Sequence, residues 1–324
     1  MNDKKVSIII PCYNVSEYLE KATESILNQT YRNWEAIFID DGSKDDTWLQ
    51  LKKIRKRDSR FKVFQKINEG SGLARNYGLN KAVGNYVYFM DPDDWIEPNL
   101  LSENISYFQK YNMELIVFGY KEIKEETNSI KIRNYNQSRL VVVDSKFIKE
   151  ISNLERDFLL NPPWNKIYDK KFLDKNKVRF TSQKKGQDAL FNIEALKYIS
   201  CYYINTGVYY NYVMGRIGSA QTNYNSKDFQ YAINILKSKL VLYKMYGGNP
   251  YEVYSNGIVD EIFYDNLKLY KSVSRKEDFI RNKVSLKKFQ KVSFSMLTLK
   301  NKFKYTLLRL PSLNYKYFMA KERR

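Results

Sequence analysis

The first 120 residues alternate short β-branched runs with amphipathic segments, and four of the runs end in turns built from Asn, Asp, Gly or Pro. Residues 6–10 are apolar apart from Ser7 and meet Pro11, which predicts a buried strand stopping there. Residues 16–28 carry Leu19, Ala22, Thr23 and Ile26 at helical spacing, with Ser16 as a candidate N-cap. Strands follow at 34–39, 61–65, 86–90 and 115–118. Between them lie a helix to about Arg57, opened by a capping-box-like Ser43–Asp46 segment, a glycine-opened helix over 70–82, and a helix over 98–111. Strand–helix alternation with short connections implies an α/β fold with a mainly parallel sheet and helices on both faces. Such a sheet binds ligands beyond the carboxyl ends of its strands.

That rule directs attention to Asp40, Asp41, Asp91, Asp93 and Asp94, all of which fall at predicted strand ends. In Asp91-Pro92-Asp93-Asp94 two carboxylates flank one residue. Hard oxygens so placed suit Mg²⁺ or Mn²⁺ and leave coordination positions for phosphate. Asp and Pro are also ordinary turn residues, so on its own the segment reads either way. Asp40 and Asp41 offer acceptors to a ribose or a base N–H, while Ser43 reads as a helix cap. Gly70-Ser71-Gly72-Leu73-Ala74-Arg75 is not a dinucleotide fingerprint: Arg75 stands where a third Gly belongs, and the segment follows the third strand. Its glycines still admit a phosphate, and Arg75 supplies a fork of donors.

Composition removes other chemistries. The 324 residues contain no His, which excludes imidazole-based triads and His-ligated zinc. Cys12 and Cys201 are too few for a disulfide framework and suit a reducing cytosol. No apolar run approaches the roughly 20 residues of a membrane span, and 6–10 is too short for a signal peptide. The expectation is a cytoplasmic protein.

The net charge of +19 is uneven: residues 265–324 hold 17 Lys+Arg and 4 Asp+Glu. Phe289, Val292, Met296, Leu299, Phe303, Leu307 and Leu310 step by three or four along this basic tail, until Pro311. A basic helix with such a stripe suits an anionic membrane surface, peripheral to the inner face of the cell membrane. The alternative is packing against the protein's own core. Residues 121–150 are polar, weakly periodic and read as a connection; beyond about 225 the pattern is helical.

Six stretches in register resemble glycosyltransferase family 2, of the GT-A fold: Val6–Asn14, Asn28–Tyr31, Ile39–Ser43, Asn68–Gly70, Ala74–Leu79 and Gly84–Trp95. Pro163–Tyr168 and Gly186–Phe191 extend the resemblance to bacterial members that build capsules, exopolysaccharides and surface glycans. The resemblance implies a GT-A domain over 1–220, with a nucleotide-sugar half (1–110) and an acceptor half (111–220), followed by a helical basic region over 221–324. It implies a UDP-sugar donor, Mn²⁺ or Mg²⁺, and inversion at the anomeric carbon. The acceptor would be a glycan on a lipid or a surface protein. Pro11, Tyr13 and Asp41 match positions that hold uracil and ribose, with Asp40 beside them. Arg75 matches a position near base and phosphate, and Asp91 and Asp93 match the metal-binding DxD pair. Asp94 matches a neighbouring carboxylate without an assigned role. Asp188 matches the catalytic base, although Gln187 stands where the family usually has Glu. Without that match Asp188 would read as a helix N-terminal Asp. Arg216, in a basic Gly/Ser loop after an aromatic strand, can reach a diphosphate when a loop closes, or stay solvated.

A nucleic-acid-binding protein would carry basic and aromatic residues interleaved along the whole chain. Here the first 264 residues are close to neutral and their rim is acidic, which disfavours nucleic acid. A catalytically inactive scaffold of the same fold is disfavoured by the intact Asp91, Asp93 and Asp188.

Overall fold

The structure, a computed structural model, describes residues 4–144, 147–215, 226–247, 255–272, 294–310 and 317–318. The chain forms two compact units, residues 1–217 and 218–324.

The first unit is built on a ten-stranded sheet. Its strands are β1 (Val6–Cys12), β2 (Trp34–Asp40), β3 (Phe61–Gln65), β4 (Tyr86–Phe89), β5 (Trp95–Ile96), β6 (Leu115–Lys124), β7 (Ser129–Arg133), β8 (Arg139–Val142), β9 (Lys166–Asp169) and β10 (Cys201–Met214). The spatial order is β3-β2-β1-β4-β9-β6-β10-β5, with β7 on β6 and β8 on β10. Along the central run from β3 to β10 only β9 is reversed: it pairs antiparallel with both β4 and β6. The sheet is therefore mostly parallel, and β1 and β2 are buried along their whole length, as strands covered on both faces must be.

The helices of this unit are α1 (Leu19–Leu27), α2 (Thr47–Arg57), α3 (Ser71–Lys81), α4 (Leu100–Lys110), α5 (Phe147–Arg156), α6 (Lys170–Lys175) and α7 (Gln187–Leu196). Helix α3 packs on the sheet through Gly78, where a Cβ would lie 2.5 Å from Ile9 Cγ2. Only a bare glycine lets the helix approach β1 so closely.

Several local expectations are corrected. Pro11 does not end β1: it pairs in register with Ile39, and Cys12 with Asp40. Its missing N–H faces the β4 side, where pairing has already ended at Ile9–Phe89, so no ladder bond is lost. Ser16 does not cap α1, which starts at Leu19; its N–H donates to Asp45 Oδ2 (3.2 Å). The capping box at Ser43 does not form, because the Asp40 carboxylate already takes the Ser43 N–H (3.0 Å), and the Ser43 hydroxyl accepts from Asn14 N–H (3.0 Å). Residues 121–150 are no mere connection: β6 runs on to Lys124, β7 and β8 follow, and α5 begins at Phe147. β7 and β8 are edge strands whose outer faces meet water, so their apolar periodicity is diluted.

The second unit contains α8 (Ser226–Gly247), α9 (Ser255–Ser272) and α10 (Leu299–Arg309). Ile233, Ile258, Ile262, Leu307, Leu308 and Phe318 belong to its core. The expected stripe divides. Leu307 is buried, but Leu299 (86%), Phe303 (53%) and Leu310 (45%) are exposed. The inward face of α10 instead carries Tyr305, Leu308, Asn301 and Lys304, the last two bonded to Asp260 of α9. Polar contacts with α9 thus occupy part of the inward face, which apolar spacing alone does not indicate. Phe289 and Val292 lie outside the described residues. Among the described residues no helix is long and apolar enough to cross a membrane.

Candidate active site

Parallel register brings the ends of β1, β2 and β4 to one rim. Asp41 N–H donates to Cys12 O (2.8 Å), and Met90 N–H to Ile9 O (3.0 Å). The turns after these strands carry the expected acids, each held in a different way.

Asp40 is fully buried at the end of β2 and does not reach the open rim. Its oxygens accept from Ser43 N–H (3.0 Å) and Gln65 Nε2 (2.8 Å). Asp41 accepts from Lys66 Nζ (2.8 Å) and Glu69 N–H (3.1 Å) at Oδ1, and from Gly70 N–H (2.7 Å) at Oδ2. Asp41 is as buried as Asp40, and among the described residues three of its four lone-pair positions are engaged, the fourth lying on Oδ2. Gly70 holds φ +96°, a backbone state that an L side chain rarely adopts, and this aims its N–H at Asp41 as α3 begins. Tyr13, 44% exposed, stands where β1 leaves the sheet. Pro11 lies just before it within the strand.

Arg75 projects from α3 and is buried. Its guanidinium bridges two acids: Nη2 donates to Asp91 Oδ1 (2.6 Å) and Nη1 to Asp188 Oδ1 (2.9 Å). This places Asp91, from the turn after β4, and Asp188, from the first turn of α7, on one cation although 97 positions separate them. Asp188 remains 38% exposed at the side chain. Its carboxyl is pushed up by loss of hydration, an effect that Arg75 opposes and the Asp91 charge reinforces. Asp93 is half-buried in the same turn. The deeply buried Asp94 carboxyl is raised well above the usual range, by burial first and then by the charges of Asp93 and Asp91. Burial, then Asp40, Asp93 and Asp91, push the Cys12 thiol up as well, so it stays protonated and unreactive.

Among the described residues no three acidic or thiol side chains converge into a self-sufficient cation cage. Asp91 and Asp93 still fit a divalent cation of the Mg²⁺ type, which uses one or two carboxylates and completes its shell with water and substrate phosphate.

Residues not anticipated from the sequence build the surroundings. Lys166 is entirely buried, and its ammonium donates to Leu159 O (2.7 Å), Pro162 O (2.6 Å) and Asn165 Oδ1 (2.7 Å). Asn192 ties the same segment to α7, donating to Asn161 O (2.8 Å) and Asp188 O (3.0 Å). Gln187 is buried against the start of α3: its amide donates to Ser71 Oγ (2.5 Å), and a Cβ at Gly72 would lie 2.0 Å from its Oε1. The glycine at 72 and the glutamine at 187 were visible in the sequence, but nothing local linked them across 115 positions. Arg216 lies outside the described residues.

The carboxyl rim of the mostly parallel sheet thus joins an acidic turn, a buried arginine and a helix-borne acid. The sequence profile described as Glycosyl transferase family 2 matches residues 7–176, more than half of the chain. The chain belongs to that family. It is 31% identical over 201 residues to Glycosyltransferase GlyA of Streptococcus pneumoniae, a match covering 59% of this chain but 28% of GlyA. It is 31% identical over 223 residues to the poly(ribitol-phosphate) β-N-acetylglucosaminyltransferase TarP of Staphylococcus aureus, covering 67% of this chain and 65% of TarP. The chain thus spans less than two thirds of either relative. The fold matches Staphylococcus aureus TarS 1–349 in complex with UDP-GlcNAc, with a TM-score of 0.68 at 20% identity over 98% of this chain and 91% of that one.

Proposed function

We propose that the protein is an inverting glycosyltransferase that moves a hexose or N-acetylhexosamine from a UDP-sugar to a hydroxyl of a growing surface glycan. The observation that carries this reading is the Arg75 bridge, which sets the candidate base Asp188 beside the candidate metal ligand Asp91. The names of TarP and of the TarS complex support a UDP-linked N-acetylhexosamine as donor and a polyol-phosphate polymer as one class of acceptor.

Tyr13 and the remaining acceptor position of Asp41 hold the uridine, with Pro11 shaping the strand exit. Asp40 keeps the turn in place from below. Asp91 and Asp93 would hold a divalent cation, which would supply charge neutralisation for the departing diphosphate. Asp188 takes the proton of the acceptor hydroxyl as that oxygen bonds to the anomeric carbon and the bond to UDP breaks. A single displacement of this kind inverts the anomeric centre. Arg75 stays charged, keeps Asp188 ionised and aims its carboxylate. Arg216 is a further candidate contact to the diphosphate.

The test is release of UDP from a panel of UDP-sugars by purified protein with Mn²⁺, with and without glycan acceptors. A sugar-selective release, stimulated by acceptor, is expected. No release from any UDP-sugar would overturn the reading and favour an inactive scaffold.

The exposed face of α10 supports a peripheral membrane role in the same reading. Leu299, Phe303 and Leu310 stand together there, with Lys300 and Lys302 alongside. Anionic lipid attracts such cations while the apolar side chains enter the interface.

A further inference from the structure

Asp94 and Tyr210 have no role in the chemistry above, yet they are among the most completely enclosed polar groups beside it: Asp94 is 1% exposed and Tyr210 0%. The Tyr210 hydroxyl accepts from Asp91 N–H (3.2 Å) and donates to Asp94 Oδ2 (2.6 Å). Asp94 Oδ1 in turn accepts Val213 N–H (2.9 Å). The four-residue turn bearing both candidate metal ligands is therefore fastened at each end to β10. Backbone pairing continues the attachment, with Trp95 opposite Asn211 and Ile96 opposite Tyr210. The Tyr210 ring stacks flat on Trp164, 4.3 Å between centroids and 9° between planes. Trp164 leads directly into the Asn165–Lys166 segment that anchors the chain beside Asp188.

We propose that Tyr210, acting through Asp94, is a positioning residue for the metal-binding turn. Its hydroxyl fixes the backbone of Asp91 so that the carboxylates of Asp91 and Asp93 keep the spacing a divalent cation needs. Its ring ties that spacing to the segment beside the base. Asp94, the one acid of this turn that is fully enclosed, receives its side-chain donor from the same Tyr210 hydroxyl that accepts the Asp91 N–H. This inference rests on the assignment of Asp91 and Asp93 as metal ligands.

The test compares Tyr210→Phe with Tyr202→Phe. Both tyrosines lie on β10 and are buried, but the Tyr202 hydroxyl has no hydrogen-bond partner among the described residues. Mn²⁺ uptake in the presence of UDP is followed by electron paramagnetic resonance, and UDP affinity in EDTA by calorimetry. Tyr210→Phe is expected to weaken Mn²⁺ binding by about 10- to 100-fold, the usual effect of losing a group that orients a ligand. It should leave metal-free UDP affinity unchanged, and Tyr202→Phe should alter neither. Hydrogen exchange on the wild-type protein gives a reading that needs no variant: the amides of Asp91 and Val213 should be protected. Wild-type Mn²⁺ affinity in Tyr210→Phe, or rapid exchange at both amides, overturns the inference alone. A wild-type protein that takes up no Mn²⁺ with UDP overturns the metal assignment and this inference together.

Discussion

Asp188 illustrates how a residue's neighbours set its chemistry. Loss of hydration raises its carboxyl above the ordinary aspartate value, and Arg75 limits the rise. A base must be ionised to act, so transfer should fall as pH drops through that raised value, earlier than an exposed aspartate would require. A pH–rate profile measures this, and an acid limb at the ordinary aspartate position would count against Asp188. Asp188→Asn should lower transfer by about 10²–10⁴-fold while UDP-sugar binding persists. Near-wild-type transfer would remove it from the mechanism. Asp93→Ala should abolish the part of UDP-induced thermal stabilisation that depends on Mn²⁺. Equal thermal shifts in EDTA and Mn²⁺, for the unmodified protein, would refute a metal on this turn. The acids at 40, 41, 91, 93 and 188 were all legible as residues in turns or at a helix start. Their differences were not: Asp40, Asp41 and the neighbouring Asp94 are buried, whereas Asp188 keeps an open side, and burial is a property of what surrounds a residue.

Glycines separate two physical effects in one element, α3. At Gly78 the obstacle is steric, because a Cβ would meet Ile9 at 2.5 Å and Ile39 at 3.4 Å. At Gly70 there is open space around the added carbon, but φ is +96°. Gly78→Ala should destabilise by about 1–3 kcal/mol through overpacking. Gly70→Ala should cost about 1–2 kcal/mol through backbone strain. It should also loosen the Gly70 N–H bond to Asp41 and weaken UDP binding, which Gly78→Ala should leave intact. Denaturant unfolding and UDP titration together check this, and equal UDP affinity in both variants would argue against the Asp41 assignment. β1, β2 and β4, buried on both faces, β3 with its alternating buried face, and α1 to α4 were readable because at least one face of each must be apolar. The short pair β5 and the solvent-facing β7 and β8 were not, since two residues carry no period and exposed strands tolerate polar residues on either face.

For the molecule as a whole, the charge distribution separates the two units, and the second holds most of the surplus. Deleting the tail is a poor test of membrane binding, because it would strip Leu297, Tyr305, Leu307 and Leu308 from that unit's core and remove the Lys304 partner of Asp260. Exchange of the exposed pair, Leu299→Ser with Phe303→Ser, is cleaner. Co-sedimentation with anionic vesicles should weaken, and the residual binding should become more salt-sensitive, since screening acts on charge and not on inserted apolar groups. Unchanged sedimentation at low and high salt would exclude this face as the contact. The sequence by itself determined the parallel α/β plan and the placing of the acids at strand ends, because apolar periodicity and turn chemistry are local and act within a few residues; the family followed from the resemblance of motifs in register. Tertiary structure alone decided which acids share Arg75, that Tyr210 holds the Asp91 turn, and which face of α10 looks inward. Each of those depends on groups about 16 to 119 positions apart meeting at one point, and no local pattern encodes where a folded chain brings distant residues together.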